Sequence, residues 1–335
     1  MDLSIFKNKN FLFVMPNDFN LYEVFAHNLK NIGFNLIPLK PHSFKYKTKD
    51  KVINFVKKTF LGDRTYKQKL IKAYYSEHIL NEIKSLKEKS VDYAFVIRPD
   101  LLSKSTLNHI LKIGKNVVAY QWDGLERFPS VFDCISQFEK FYVFDPNDFE
   151  KYVKKYPNIK LNSNFYFDFD SNTLKEKEKN VIFYMGSYIE NRVDDVIYAV
   201  EELEKYNIPL NVKLVYHRKT LPFINKNIQF LQEQMNFFDY LEQVKQAKIL
   251  LDFKMKKHNG LSLRFFEALK YEKKIITNNA SVVNYDFYNP NNIFILHKDN
   301  SADLESFLFS DYEKVAPEII KKYAFSSWLY RCFFE

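Results

Sequence analysis

The chain is short of cysteine and of long apolar runs. Its two cysteines, Cys134 and Cys332, cannot form a disulfide framework, and they lack the paired spacing of a metal site. No run approaches the roughly 18 apolar residues that cross a bilayer, and the N-terminus lacks the apolar core of a signal peptide. We therefore expect a cytoplasmic protein, at most peripheral on the inner face of the cytoplasmic membrane.

Glycine is also scarce, with 6 among 335 residues, whereas aromatic residues make up 18% of the chain. We attribute the abundance of aromatic residues, lysine, asparagine and isoleucine to an AT-rich genome rather than to an aromatic binding platform. A hydrophobic fraction of 46% in a chain of this length is typical of a globular protein with two domains of ordinary size.

The net charge of +9 is concentrated in one block, which holds eleven basic and two acidic residues between Lys40 and Lys72. Such a block favours contact with anionic lipid, phosphate or nucleic acid, although a solvated pair of lysine-rich helices has the same composition. We expect helices over 50–60 and 66–87. The first is amphipathic, as a helix lying on a membrane or packed on a sheet would be. The lysines proposed to contact an acceptor or a membrane are Lys45, Lys47, Lys57 and Lys58.

Short apolar runs alternate with helical patterns along the chain, which predicts an α/β fold with parallel strands. The predicted strands are 10–15, 34–38, 92–97, 116–120, 141–144, 180–184, 211–216, 228–231, 249–253, 275–277 and 292–296. The polar segment 170–179 has no apolar pattern and predicts a linker. We therefore expect one Rossmann-like domain over 1–170, a second over 171–310, and terminal helices over 311–335 that cross back to the first.

The predicted strands of the first half end in polar residues, which are Arg98, Asp100, Gln121, Asp123 and Asp145. Because the carboxyl ends of parallel strands lie at the same edge of a sheet, these residues predict a cleft there.

The stretch His258–Asn279, with the sequence HNGLSLRFFEALKYEKKIITNN, is predicted to form a loop, a helix from Gly260 and a strand. At 3.6 residues per turn, Gly260, Arg264 and Glu267 share one face of that helix. The helix follows the predicted strand 249–253, so its N-terminus lies where open α/β sheets bind ligands. The alternative is a surface ion pair between Arg264 and Glu267.

Three further residues follow strands of the second half. Gly186 would let the backbone approach a ligand, and Arg192 could pair with phosphate. Lys219 follows the next strand and could help to neutralise a diphosphate. A turn glycine with surface charges is the alternative for all three.

With these motifs, residues 181–296 resemble the nucleotide-sugar domain of GT-B glycosyltransferases, of the family 4, CgeB-like and capsule or lipopolysaccharide types. Glu267 matches the family glutamate that holds the ribose hydroxyls of the donor, and Asn259 stands where the family has another glutamate. The resemblance implies a GT-B fold, with two Rossmann-like β/α/β domains facing a central cleft and C-terminal helices packing back toward the first domain.

The resemblance also implies an enzyme that moves a sugar from a nucleotide-sugar to a cell-surface glycan or a lipid-linked acceptor, without a cofactor or a metal. The implied donor-binding residues are Gly186, Arg192, Lys219, His258, Asn259, Gly260, Leu261, Ser262, Arg264 and Glu267. Asp123, in YQWDGLERFP, is the candidate general base of an inverting reaction, with a turn aspartate as the alternative.

An anionic membrane surface is the further partner that we expect, and nucleic acid is not expected. Three other functions stay open from the sequence. They are a sugar-nucleotide epimerase of similar fold, a DNA-modifying glycosyltransferase, and a non-catalytic protein that binds glycan or nucleic acid.

Overall fold

The structure is a computed structural model, and it describes residues 2–16, 20–39, 44, 46–63, 65–169, 179–217, 225–255 and 259–335. The first domain is built on six parallel strands, which are β1 Asn10–Val14, β2 Asn35–Ile37, β3 Val91–Ile97, β4 Gly114–Gln121, β5 Lys140–Val143 and β6 Ile159–Leu161. Its helices are α1 Leu21–Ile32, α2 Thr48–Phe60, α3 Tyr66–Ile83, α4 Lys104–Ile113 and α5 Pro146–Tyr152. The strand order in the sheet is β2-β1-β3-β4-β5-β6.

The second domain also has a sheet of six parallel strands, in the order β12-β11-β10-β7-β8-β9. These strands are β7 Ile182–Ser187, β8 Leu210–Val215, β9 Ile228–Leu231, β10 Ile249–Asp252, β11 Lys274–Thr277 and β12 Ile293–Ile295. The helices in this half of the chain are α6 Glu190–Leu203, α7 Phe237–Gln246, α8 Leu263–Lys270, α9 Leu304–Phe309, α10 Pro317–Lys322 and α11 Phe325–Phe334, of which α11 packs on the first domain. The predicted α/β architecture with two Rossmann-like domains is confirmed.

The central strands bury apolar side chains on both of their faces because helices cover both faces of each sheet. In β3, Tyr93 and Phe95 belong to the hydrophobic core on one face, whereas Ala94 and Val96 belong to the core on the other. This alternation follows from the two-residue period of a strand.

Helix α11 packs on the sheet of the first domain. Trp328 is fully buried there, and its indole Nε1–H donates to the Ser163 carbonyl at 2.6 Å. The Tyr142 hydroxyl of β5 donates to the carbonyl of Arg331 at 3.2 Å. The C-terminal helix therefore belongs to the core of the first domain, as the predicted fold requires.

Several boundaries differ from the prediction. The strand β6 and the helix α9 were not predicted, because β6 has three residues and α9 six, too few for a periodic pattern. Of the terminal helices expected over 311–335, the first is α10, which begins only at Pro317, since proline is favoured in the first turn of a helix. The expected linker 170–179 falls almost wholly on residues outside the described part of the chain.

Within the described residues, no helix is long and apolar enough to cross a membrane. The helix α2, which was predicted from the basic block, is present as a helix of 13 residues.

Candidate functional site

A cavity of about 680 Å³ lies between the two sheets, at the carboxyl ends of their central strands. This volume is within the range of pockets that hold small-molecule ligands and cofactors. Polar residues from both domains line it, including Arg98, Asp123, Arg192, Asp252, Arg264 and Glu267. The predicted cleft at the edge where the parallel strands end is therefore present.

Glu267 lies in the wall of this cavity with only 3% of its surface exposed. The hydroxyl of Tyr240 donates to its Oε2 at 2.6 Å, and Oε1 has no hydrogen-bond partner among the described residues. Burial raises the pKa of the Glu267 carboxyl to about 7. The alternative of a surface ion pair with Arg264 is wrong, because neither side chain is on the surface.

The guanidinium of Arg264 makes hydrogen bonds within the protein. Its Nη2 donates to the carbonyl of Met185 at 2.6 Å, and its Nη1 donates to the carbonyl of Leu251 at 3.1 Å. The side chain thereby joins the ends of β7 and β10 by a hydrogen bond to one carbonyl of each strand. Its guanidinium also lies 3.3 Å from Asp252, which accepts a second hydrogen bond from Ser262 at 2.6 Å.

Gly186 and Arg192 lie together beside the cavity. A Cβ on Gly186 would lie 2.6 Å from the hydroxyl of Tyr184 and 3.2 Å from Nη2 of Arg192, so only glycine leaves room for these two side chains. Arg192 donates from Nη2 to the carbonyl of Ser187 at 2.6 Å. Its other guanidinium N–H groups have no partner among the described residues, so they are available to an anion.

The stretch from Asn259 to Leu261 joins the two domains. The Asn259 N–H donates to Oδ2 of Asp145 at 2.9 Å, and the Leu261 carbonyl accepts from Nδ2 of Asn164 at 2.8 Å. A Cβ on Gly260 would lie 2.4 Å from the ring of Phe144. Gly260 and Ser262 line the cavity, whereas Asn259 and Leu261 are not among its lining residues.

Helix α8 begins at Leu263, after the predicted start at Gly260. The residue before it, Ser262, has extended backbone. The free N–H groups of the first helical turn therefore follow Ser262 rather than Gly260.

Asp123 lies in the cavity wall of the first domain. Arg127 donates to its Oδ1 at 2.5 Å, and Nη1 of Arg98 lies 3.7 Å from its Oδ2. Arg98 is itself held by Asp100 through bonds of 2.7 and 2.8 Å, and its guanidinium lies 3.6 Å from the ring centre of Phe128. Both oxygens of Asp123 therefore face an arginine.

Of the lysines predicted to contact an acceptor or a membrane, Lys47, Lys57 and Lys58 do not line this cavity. Lys47 and Lys58 are exposed, whereas Lys57 folds back over the ring of Tyr66 at 4.7 Å and lies 4.0 Å from Asp63. Three predicted site residues lie outside the described residues, and they are Lys45, Lys219 and His258.

Among the cavity residues that had no place in the predicted site are Tyr184 and Trp122. The hydroxyl of Tyr184 is buried and has no hydrogen-bond partner among the described residues. Strand alternation could have indicated Tyr184, since it lies two residues before Gly186 and therefore on the same face of β7. Trp122 carries no such signal, because its position depends on where β4 ends.

Solved structures resemble the whole chain, although neither a scan of protein-family models nor a search of curated proteins gives a match. A trehalose-6-phosphate synthase superposes with a TM-score of 0.55 at 10% identity, over 96% of this chain and 97% of that one. An alpha-glucosyltransferase in complex with UDP superposes with a TM-score of 0.50 at 12% identity, over 97% of this chain and 96% of that one. The fold is GT-B. The two sheets, the cleft and the returning helix α11 are thus the expected GT-B architecture.

Proposed function

We propose that this protein is a glycosyltransferase that moves a sugar from a nucleotide-sugar to an acceptor. The observation that carries the proposal is the position of Glu267, a buried carboxylate in the wall of a GT-B cleft with one oxygen unbonded within the described residues. A carboxylate there can accept from two neighbouring hydroxyls of a ribose. A similar solved fold is a glucosyltransferase in complex with UDP, which supports a nucleotide donor.

The diphosphate of the donor would lie against the edge formed by Gly186, Arg192 and the start of α8. Arg192 has guanidinium N–H groups without a partner among the described residues. The N-terminus of α8 offers backbone N–H groups and a favourable dipole. In this proposal these groups stabilise the leaving nucleoside diphosphate, and no metal takes part. Arg264 acts indirectly, because its hydrogen bonds hold the two strand ends that shape this edge.

The acceptor would lie against the first domain, beside Asp123 and Trp122. We propose Asp123 as the general base that takes the proton of the acceptor hydroxyl in an inverting reaction. The two arginines keep its carboxylate at the cavity wall, and the acceptor hydroxyl would replace Arg127 at Oδ1. The proposed acceptor is a glycan or lipid-linked sugar of the cell surface, such as capsule or lipooligosaccharide.

A thermal-shift panel of nucleoside diphosphates and their sugars tests the donor site. One nucleotide should raise the melting temperature of the protein, because a ligand that binds the folded state stabilises it. The same nucleotide should shift Glu267→Ala much less, whereas Glu201→Ala, an exposed position on α6, should behave like the wild type. The donor site is refuted if no nucleotide raises the melting temperature, or if the shift is equal in Glu267→Ala and the wild type.

Asp123→Asn tests the acceptor side once a donor is known. We expect kcat to fall by about 10²–10⁴-fold, the usual contribution of a general base, with little change in nucleotide affinity. Glu126→Gln is the matched control, since Glu126 is exposed in the same loop and outside the cavity. Full activity of Asp123→Asn would exclude the assigned base, and conversion of the donor sugar without an acceptor would favour an epimerase.

A further inference from the structure

Helix α2 turns its apolar side chains outward. Four of them, Val52, Phe55, Val56 and Phe60, are 58, 61, 42 and 74% exposed, and Leu61, just after the helix, is 70% exposed. They form a continuous stripe, because residues three and four apart lie side by side on a helix. None of these side chains belongs to the hydrophobic core clusters of the described residues.

The polar side of the same helix faces the protein. Asp50 is buried, Asn54 is half-buried, and Lys57 is held over Tyr66. A surface helix of a globular protein normally has the opposite arrangement, with its apolar stripe against the core. The orientation of α2 therefore leaves an apolar surface open to a further partner.

Lysines border this apolar surface. Lys47, Lys49, Lys51 and Lys58 are all exposed. An anionic surface would complement them, and a bilayer interface offers lipid phosphates beside an apolar layer. A second copy of the chain would instead bring the same lysines together, and their like charges would oppose pairing.

We propose that α2 lies in the interface of an anionic bilayer, with Phe55 and Phe60 in the acyl layer and the neighbouring lysines against lipid phosphates. This surface would bring the enzyme to a lipid-linked acceptor, and to that extent the inference deepens the proposed function. The contact itself does not depend on catalysis, because no residue of α2 lines the cavity.

Flotation with vesicles tests the contact. We expect wild-type protein to float with vesicles of phosphatidylglycerol and phosphatidylcholine, and much less with pure phosphatidylcholine. The double change Phe55→Ser and Phe60→Ser should lower the partition coefficient by at least about tenfold, since each ring loses its burial. Phe309→Ser is the matched control, because Phe309 is 54% exposed on the second domain.

A second variant separates the lysines from the rings. The triple variant Lys49→Ser, Lys51→Ser and Lys58→Ser should bind vesicles more weakly than the wild type at low salt. At high salt, where surface charges are screened, the two proteins should bind equally. The ring variant should bind weakly at both. Normal binding of the ring variant, or an equal loss in Phe309→Ser, would overturn the proposal.

Sedimentation decides between a bilayer and a second copy. The membrane assignment is overturned if the wild-type protein is a dimer that does not float with vesicles and the variant with Phe55→Ser and Phe60→Ser is a monomer. The nucleotide-induced thermal shift is measured on the same samples. An unchanged nucleotide-induced shift in the ring variant shows that its fold is intact. If the wild-type protein floats with vesicles but no nucleotide shifts its melting temperature, the membrane contact is supported and the donor site is refuted.

Discussion

At the scale of single residues, Glu267 is the side chain whose surroundings matter most. Its carboxyl is buried and has one hydrogen-bond donor, Tyr240, among the described residues. Burial without full hydrogen bonding disfavours the ionised form, which is the physical reason for its raised pKa. A buried carboxylate oxygen without a hydrogen-bond donor destabilises the folded state. A bound ligand that donates to this oxygen would remove that cost.

The raised pKa of Glu267 makes the free energy of unfolding depend on pH. The folded state keeps the proton up to about pH 7, whereas the unfolded chain loses it near 4.5. The folded state is therefore favoured at low pH, and this contribution is lost as pH rises through that window. Relative to wild type, Glu267→Gln should gain up to about 3 kcal/mol of stability between pH 4.5 and 8.

Urea denaturation at pH 5, 6, 7 and 8 measures this difference. Glu201→Gln serves as the control, because its carboxylate remains in water on α6. A flat difference between wild type and Glu267→Gln across these pH values would contradict the burial of an incompletely bonded carboxyl.

At the scale of elements, the start of α8 joins the domains through backbone contacts. Gly260 lies so close to Phe144 that an added Cβ would come within 2.9 Å of the Phe144 carbonyl and 2.4 Å of its ring. The ring can rotate away, but the carbonyl moves only with the backbone that follows β5. The absence of a side chain at this position is therefore a requirement of the contact between the domains.

Gly260→Ala should lower the free energy of unfolding by about 1–3 kcal/mol, the usual effect of adding a methyl group to a packed site. Denaturation of Gly260→Ala, of Phe144→Ala and of the double variant measures the coupling between the two positions. The double variant should be more stable than the sum of the single effects predicts, because removing the ring relieves part of the clash. Strict additivity would show that the two residues do not interact.

At the scale of the whole molecule, the last helix is part of the first domain. Trp328 packs its ring at 5.4 Å from Phe95 and 5.0 Å from Tyr120, measured between ring centres. The sheet face that receives α11 is therefore covered by a segment from the other end of the chain. The two domains are linked both through the stretch at Gly260 and through this returning helix.

Trp328→Ala should destabilise the protein by about 3–5 kcal/mol, because it leaves a large cavity in the core. Thermal and urea denaturation check this, and Phe309→Ala, at an exposed position, should change stability by less than about 0.5 kcal/mol. Trp328→Phe keeps most of the volume and tests the hydrogen bond to Ser163 separately. Wild-type stability of Trp328→Ala would contradict the packing of α11 on the first sheet.

The sequence by itself determined the α/β class, the two domains and the edge at which the cleft lies. These features depend on local periodicity and on the rule that parallel strands end at one edge of a sheet. Arg192 was indicated by its place near the start of a helix that follows a strand, and Glu267 by the helix face that it shares with Arg264 and by the family resemblance; both line the cavity.

Only the tertiary structure decided what several of these residues contact. Arg264 was expected among the donor-binding residues; it lines the cavity, and its guanidinium donates to carbonyls of two strands. Gly260 was predicted to face a ligand, and it also packs against Phe144 of the other domain. The structure also decided which face of α2 is exposed. Periodicity shows that this helix is amphipathic, but the contacts of each face are made by distant parts of the chain.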